Sequence, residues 1–467
     1  MSLRPDVPME LPVLRLKPNQ DRRLRAGHLW TYSNEVDTGA TPLKAFEPGE
    51  PVVLQNAKGR FLGHGYINPN SLICARLVSR DPNHPLDQSL IVHRLKIALA
   101  LRERYYDRPD YRLVFGEADG LPGLVVDRYG DHLVAQLTTA GMEALREEIL
   151  AALLKVLRPT SVLWRNDSSI RELEGLERYI EPAFGQVPER LEVIEGDCRF
   201  QVSPSEGQKT GWFFDQAANR DLLMPRVRDA RVLDVCSYVG AWGVRAAAAG
   251  AQAVTCVDAS GPALEQVAAN ATLNGVADKV STLRADAFDA LKQLKADGHK
   301  YDIVVLDPPA FIKRKKDLKE GTLAYRRLNE AALGLLSRDG LLVTASCSFH
   351  MDRDNFLRTV QQAGRHADRH LQLLQAGQQG PDHPVHPAIA ETAVLRWNQE
   401  GAARLLELQA GTVDMITNVS PDDFAAVEED PNLQLLPSAN PNILYLAMTN
   451  TFEPFNDPLV RQAVAMG

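Results

Sequence analysis

The order of apolar and polar positions divides the chain into regions of different period. Between residues 11 and 80, apolar segments at 13–16, 51–56, 61–67 and 73–79 are separated by Gly, Pro and Asn. Short apolar segments between turn-formers predict the strands of a small β-barrel-like domain. A helix is predicted over 88–106 and another over 142–157, with strands around Gly-Pro turns over 113–137. From about residue 190 the period changes. Apolar runs at 232–238, 253–259, 302–308 and 340–347 alternate with Ala-rich helical stretches. Continuous apolar runs joined by helices predict a parallel sheet covered on both faces. The fold class is therefore α/β, with a Rossmann-like domain after the β-rich region.

Composition sharpens this picture only in part. The chain has 467 residues, 45% hydrophobic and 24% charged, as in ordinary globular proteins. That excludes wholesale disorder and collagen-like structure. There is no run of about 18 apolar residues, so no membrane-spanning helix is expected. The first residues carry charges and prolines where an export signal needs an apolar run, so a cytoplasmic location is expected. Five cysteines, Cys74, Cys198, Cys236, Cys256 and Cys347, stand singly, without CxxC or Cys/His metal spacing. They predict a reducing compartment, no disulfide framework and no metal.

The net charge of −8 argues at first against a polyanionic partner. Its distribution reverses that. Residues 391–467 hold 3 basic and 11 acidic residues, and the preceding 390 hold 49 of each. Residues 1–80 carry +4, with Arg22, Arg23 and Arg25 beside Trp30. Residues 313–327 carry +5, from a run opened by Lys313, Arg314, Lys315 and Lys316. These seven arginines and lysines, with Lys209, are the candidate contacts to a phosphate-bearing partner. A charge run is more often a solvated face, and only its place beside a site makes it more.

Candidate chemistry lies at the predicted strand ends. Asp234, Ser237, Tyr238 and Gly240 occupy a strand-to-helix turn whose glycine lets backbone approach a ligand. Asp258, followed by Ala259, ends the next strand, 24 residues after Asp234, where a carboxylate can accept from ribose hydroxyls. Asp286, followed by Ala287, is placed to meet an adenine amino group. Asp307 opens Asp-Pro-Pro-Ala-Phe after a further strand. Singly, each Asp is a cap or turn residue. As an ordered series they resemble the class I S-adenosylmethionine-dependent methyltransferases. A nicotinamide dehydrogenase would need a G-x-G-x-x-G fingerprint that is absent.

Cys347, in Ala-Ser-Cys-Ser, is placed at the end of the strand beside Asp307. A thiolate adding to carbon 6 of a pyrimidine makes carbon 5 nucleophilic enough to accept a methyl group. Asp307 is the candidate acid at the base. The other four cysteines read as small buried hydrophobes.

Several segments in order carry a more specific resemblance. They are 27–30, 117–128, 208–220, 307–311, 346–348 and 383–392. Over residues 10–393 the chain resembles the bacterial ribosomal RNA large-subunit methyltransferase I family, which makes 5-methylcytosine in 23S ribosomal RNA. The resemblance implies a PUA-like RNA-binding domain at 10–85, a central α+β domain at 86–190 and a methyltransferase domain at 191–393. It also implies Cys347 as nucleophile, S-adenosylmethionine as cofactor, 23S ribosomal RNA as partner, a homodimer and no membrane. Asp-Pro-Pro stands where other 5-methylcytosine enzymes carry a second cysteine, so another base must release the adduct. Within 208–220, Lys209, Asp215 and Arg220 are candidates for the cofactor pocket or the RNA entrance. Uracil C5 or guanine methylation and a noncatalytic RNA-binding adaptor are the alternatives.

Residues 394–467 resemble a different family, the solute-binding proteins of peptide ABC transporters. Only a fraction of that two-lobed fold is present, so this tail is expected to bind no peptide and to take no part in catalysis. A transport-related binding protein is the reading it would support.

Overall fold

The computed structural model describes residues 11–208 and 210–393, and the backbone of three strands within 415–449. The chain divides into two compact units, Met1–Arg396 and Trp397–Gly467.

The first sheet has five strands: β1 (Val13–Arg15), β2 (Trp30–Thr31), β3 (Pro51–Gln55), β4 (Phe61–Ile67) and β5 (Ala75–Ser79), in the order β1-β3-β4-β5-β2. Leu14, Val52, Leu54, Ile67 and Cys74 fill its core. A single helical turn, α1 (Arg22–Arg25), precedes β2 and buries Leu24 between exposed arginines.

The second sheet is built from β6 (Asp110–Phe115), β7 (Leu124–Tyr129), β8 (His132–Leu137), β9 (Ser161–Asn166) and β10 (Tyr179–Phe184), in the order β10-β9-β8-β7-β6. Helix α2 (Gln88–Arg102), the short α3 (Ala140–Ala144) and α4 (Arg146–Leu157) surround it, and α5 (Ile170–Leu173) precedes β10. Asp87 caps α2 by accepting from Leu90 N–H. The helix predicted over 142–157 is thus two helices meeting at Leu145, which has no helical dihedrals.

A hairpin of β11 (Leu191–Glu195) and β12 (Cys198–Val202) leads into α6 (Ala217–Leu223). The third sheet follows. Its strands are β13 (Arg231–Val235), β14 (Ala253–Asp258), β15 (Val280–Arg284), β16 (Tyr301–Leu306) and β17 (Leu336–Thr344). All pair in parallel, in the order β15-β14-β13-β16-β17.

Alternating side chains of this sheet face opposite helix layers. Val232, Ile303 and Val305 pack with α7 (Ala241–Ala248) and α8 (Gly261–Leu273) through Val244, Leu264 and Val267. Leu233, Val304 and Leu306 pack with α9 (Ala287–Ala296), α10 (Leu318–Leu335) and α11 (Arg353–His366). The strand order reverses between β13 and β16, and open α/β sheets bind ligands at such a crevice.

After α11 the chain runs back as a strap. Asn219 Oδ1 accepts from Gln378 N–H, and the Asp215 carbonyl accepts from Gly380 N–H. Arg102 donates to the Asp382 carbonyl at 2.8 Å, and Ile389 is buried against Leu29 and Leu77 of the first sheet. The strap therefore touches all three sheet regions.

In the second unit, β18 (Met415–Thr417), β19 (Leu433–Pro437) and β20 (Tyr445–Thr449) form an antiparallel sheet in the order β18-β20-β19. The tail segments singled out by resemblance, at 396–414, 418–424 and 450–464, lie outside the described residues. Among the described residues, no helix is long and apolar enough to cross a membrane.

Candidate active site

The turn after β13 is strained. Cys236 (φ 64°), Tyr238 (φ 49°) and Gly240 (φ 86°) all adopt left-handed dihedrals, uncommon for the first two residue types. Neighbouring groups hold this shape. Ser237 N–H donates to the Val257 carbonyl, and Tyr238 N–H donates to Asp258 Oδ2, both at 2.9 Å. The Tyr238 hydroxyl accepts from Gln208 N–H at 2.9 Å. The turn can then point its backbone at a ligand above the sheet edge.

Asp234 lies beneath it, fully buried. Its Oδ2 accepts from Gly243 N–H at 2.9 Å, near the start of α7. A Cβ at Gly243 would come within 3.1 Å of that oxygen and 2.5 Å of Cys256 Sγ, so glycine is required there. Burial pushes the Asp234 carboxyl up to about 7, with Asp307 and Asp258 adding to the rise. Asp234 Oδ1 and Ser237 Oγ have no hydrogen-bond partner among the described residues, although both are buried. Such orphaned polar atoms are costly and suit a ligand that brings donors and positive charge. The amino acid end of S-adenosylmethionine has that chemistry, so the residues fit this cofactor.

Asp258 and Asp286 stand at the ends of the next two strands. Asp258 Oδ1 accepts from Ser260 N–H at 2.9 Å, so both of its oxygens are fixed by backbone donors. Lone pairs remain for hydroxyl donors, since a carboxylate offers about four acceptor sites. Asp286 is the N-cap of α9 and accepts from Phe288 N–H at 2.8 Å. Ala259 and Ala287 follow these two residues directly. The two carboxylates serve the local turns.

Asp307 leaves β16 next to β13, across the reversal in strand order. Its Oδ1 accepts from Gln216 Nε2 at 3.2 Å, and its Oδ2 accepts from Trp242 Nε1 at 3.1 Å. Cys347 belongs to the neighbouring loop. Its Sγ donates to the Pro308 carbonyl at 3.6 Å, joining the thiol to the Asp-Pro-Pro segment. β17 ends at Thr344, so Cys347 lies three residues beyond the strand and not at its end. The Ala345 N–H still bonds the Leu306 carbonyl, which keeps the two loops side by side. Burial pushes the thiols of Cys74 and Cys236 up to about 12, and raises those of Cys198 and Cys256. Those four suit the role of inert packing groups.

The candidate RNA contacts divide. Lys313, Arg314, Lys315 and Lys316 are exposed just after the Asp307 loop, with Arg314 paired to Asp317 at 3.2 Å. Arg22 is exposed. Arg23 is bidentate to Glu35 and lies over the Tyr32 ring, and Arg25 pairs with Asp21 at 3.3 Å. Lys209 lies outside the described residues. Of its neighbours, Arg220 is buried in an ion pair with Glu195, and Asp215 meets the strap through its backbone. Gln216, between them, is the residue of this segment that reaches Asp307. Sequence reasoning did not single out Gln216 and Trp242, although both lie inside the segments 208–220 and 231–243 that it considered.

Family comparisons agree with this arrangement. Residues 14–80 match a PUA-like domain and residues 148–396 match the S-adenosylmethionine-dependent methyltransferases. S-adenosylmethionine is accordingly the cofactor of this chain. Residues 387–467 match the bacterial extracellular solute-binding proteins, family 5 middle. Two solved structures share the fold. SMU.776 in complex with SAH has TM-score 0.70 at 22% identity, and covers 82% of this chain and 98% of that one. A Streptococcus mutans protein assigned to the SAM-dependent methyltransferases has TM-score 0.69 at 21% identity, with the same coverage. The Ribosomal RNA large subunit methyltransferase I of Aliivibrio fischeri (strain MJ11) is 35% identical over 386 residues, 82% of this chain and 97% of that protein. The protein of that name from Klebsiella pneumoniae (strain 342) is 34% identical over 390 residues, again covering 82% and 97%. The chain thus belongs to the ribosomal RNA large subunit methyltransferase I family.

Proposed function

We propose that this methyltransferase modifies carbon 5 of a cytosine in 23S ribosomal RNA through a covalent adduct with Cys347. One observation carries the reading: Cys347 Sγ bonds the Pro308 carbonyl, so a thiol sits beside Asp307 at the sheet edge where the cofactor turn opens. The relatives' names support ribosomal RNA as the substrate. The exposed basic run after the Asp307 loop supports a phosphate-bearing one.

Bound S-adenosylmethionine supplies an electrophilic methyl group. Asp234, Ser237, Tyr238 and Gly240 would hold it at the first turn, with Asp258 and Ala259 placed for the ribose and Asp286 and Ala287 for the adenine. The Cys347 thiolate adds to C6 of the extruded cytosine, forming an S–C6 bond and placing an electron pair at C5. Asp307, held by Gln216 and Trp242, acts as the acid: it donates its proton to the base edge as that charge develops and takes it back as the thiolate leaves. The C5 electron pair takes the methyl group, whose bond to the sulfonium sulfur would break with its electrons staying on sulfur as a neutral thioether. A base then removes the C5 proton, and that electron pair restores the C5–C6 double bond as the thiolate leaves. Arg22, Arg23, Arg25, Lys209 and Lys313 to Lys316 are assigned to the RNA.

The division at 10–85, 86–190 and 191–393 is retained, and each of the three sheets falls within one segment. We place the protein in the cytoplasm as a homodimer, as the family resemblance implies. The tail from 394 is assigned no catalytic part. Mass mapping of ribosomal RNA from cells with and without the protein tests the function. Loss of one 5-methylcytosine supports it, and loss of a methylated uracil or guanine, or of no modification, replaces it with one of the alternatives.

A further inference from the structure

The hydroxyl of Tyr325 lies where the loops carrying Asp307 and Cys347 meet. Tyr325 projects from α10 and is fully buried. Its Oη is 2.8 Å from Ser348 Oγ. Ser348 Oγ accepts from Ile312 N–H at 3.1 Å, and Ser348 N–H donates to Ser346 Oγ at 3.3 Å. Ser348 is thereby joined to the phenol directly, and Ser346 through the Ser348 N–H. One of them also grips the chain leaving Asp-Pro-Pro. The ring is fixed by Phe311 and Phe356, at centroid separations of 4.7 and 5.5 Å. Burial raises the pKa of the hydroxyl, so it remains a neutral O–H group.

We propose that Tyr325 is a positioning residue that sets the separation of Cys347 Sγ from the Asp307 carboxylate. This rests on the reading of Cys347 as the nucleophile. A thiolate attacking C6 must keep its line while Asp307 holds the base edge, and a misplacement of about 1 Å costs on the order of 10²-fold in rate. A phenylalanine ring would fill the same space and leave the loops untied. The link is local to the two loops and does not touch the turn after β13, so cofactor affinity is independent of it.

The test compares Tyr325→Phe, Ser348→Ala, their double variant and Cys347→Ala in the full-length protein. Steady-state and single-turnover methylation of an unmodified 23S ribosomal RNA fragment are measured, with adduct trapping on RNA containing 5-fluorocytosine. Tyr325→Phe is expected to lower kcat and the trapping rate roughly 10- to 100-fold, with KM for RNA and cofactor affinity within about twofold. Ser348→Ala should fall similarly and keeps the ring packing, so it carries the test if Tyr325→Phe does not fold. The double variant should be little worse than the weaker single one, because both remove one link. A wild-type kcat in Tyr325→Phe, or a fall matched by lost cofactor binding and a lower Tm, overturns the proposal. Full methylation by Cys347→Ala overturns the nucleophile assignment instead.

Discussion

Trp242 Nε1 donates to Asp307 Oδ2 at 3.1 Å, across 65 positions of sequence. The indole comes from α7, which starts at the cofactor turn, and the carboxylate comes from the adjacent strand end. One hydrogen bond thus ties the proposed acid to the helix that shapes the cofactor site. Gln216 holds the other carboxylate oxygen.

Trp242→Phe removes that bond and keeps most of the packing. A hydrogen bond of this kind is worth about 0.5–1.5 kcal/mol, so kcat should fall roughly 2- to 10-fold. Cofactor affinity, measured by calorimetry, should change little. An unaltered kcat would remove Asp307 orientation from the mechanism.

Cofactor binding should release a proton. Asp234 is held up to about 7 by burial, and a positively charged ligand favours its ionised form. Affinity should therefore strengthen from pH 6 to 7, by at most about tenfold per unit, and level off above 7. Asp234→Asn should flatten this profile. For the ligand-free fold the sign is opposite. The folded pKa lies above the ordinary 3.8, so this group's stabilising contribution is complete below about pH 4 and is lost as pH rises through 7. Calorimetry in buffers of different ionisation enthalpy reads the proton release directly.

Glu195 holds two arginines at once. It pairs with Arg220 at 2.5 Å and with Arg245 at 2.7 Å, and it accepts from Trp212 Nε1. Burial alone would raise its carboxyl, but the two arginines outweigh burial and hold it below the usual range. Glu195→Gln leaves Arg220 buried without its counter-charge, at a cost of about 3–5 kcal/mol. Urea denaturation should show that loss as a lower midpoint with an unchanged m value.

Replacing Lys313, Arg314, Lys315 and Lys316 together by Gln should weaken RNA binding and leave cofactor binding intact. If all four meet phosphates of an unpaired strand, the slope of log K against log salt should become shallower by about 3. An unchanged slope would return this run to the role of a solvated face.

Removing residues 397–467 should leave methylation of the RNA fragment unchanged. Abolished methylation in a truncated protein that still folds would give the tail a part in catalysis.

Much of the methyltransferase region was legible because strand period and strand-end chemistry are local. The runs at 232–238, 253–259 and 302–308 match β13, β14 and β16 with errors of at most three residues at their ends. Asp234, Asp258, Asp286 and Asp307 stand at or just past strand ends because parallel strands deliver their carboxyl ends to one edge. The sequence alone also separated the acidic tail from the neutral body and singled out Cys347 among five cysteines. It overextended the last strand, since apolar and small residues continue past Thr344 while the sheet pairing stops there.

The sequence by itself determined the order of elements, the set of strand-end carboxylates and the cofactor class. Only the tertiary structure decided which groups surround them. Gln216 reaches Asp307 over 91 positions, and Ser348 meets Ile312 and Tyr325 over 36 and 23. It likewise decided that Arg220 is buried with Glu195 and that the strap after α11 meets α6, α2 and Leu77 of β5. The physical reason is that local periodicity reports which face of an element is buried. It carries no information on which distant polar group will satisfy a donor or acceptor once that face is packed.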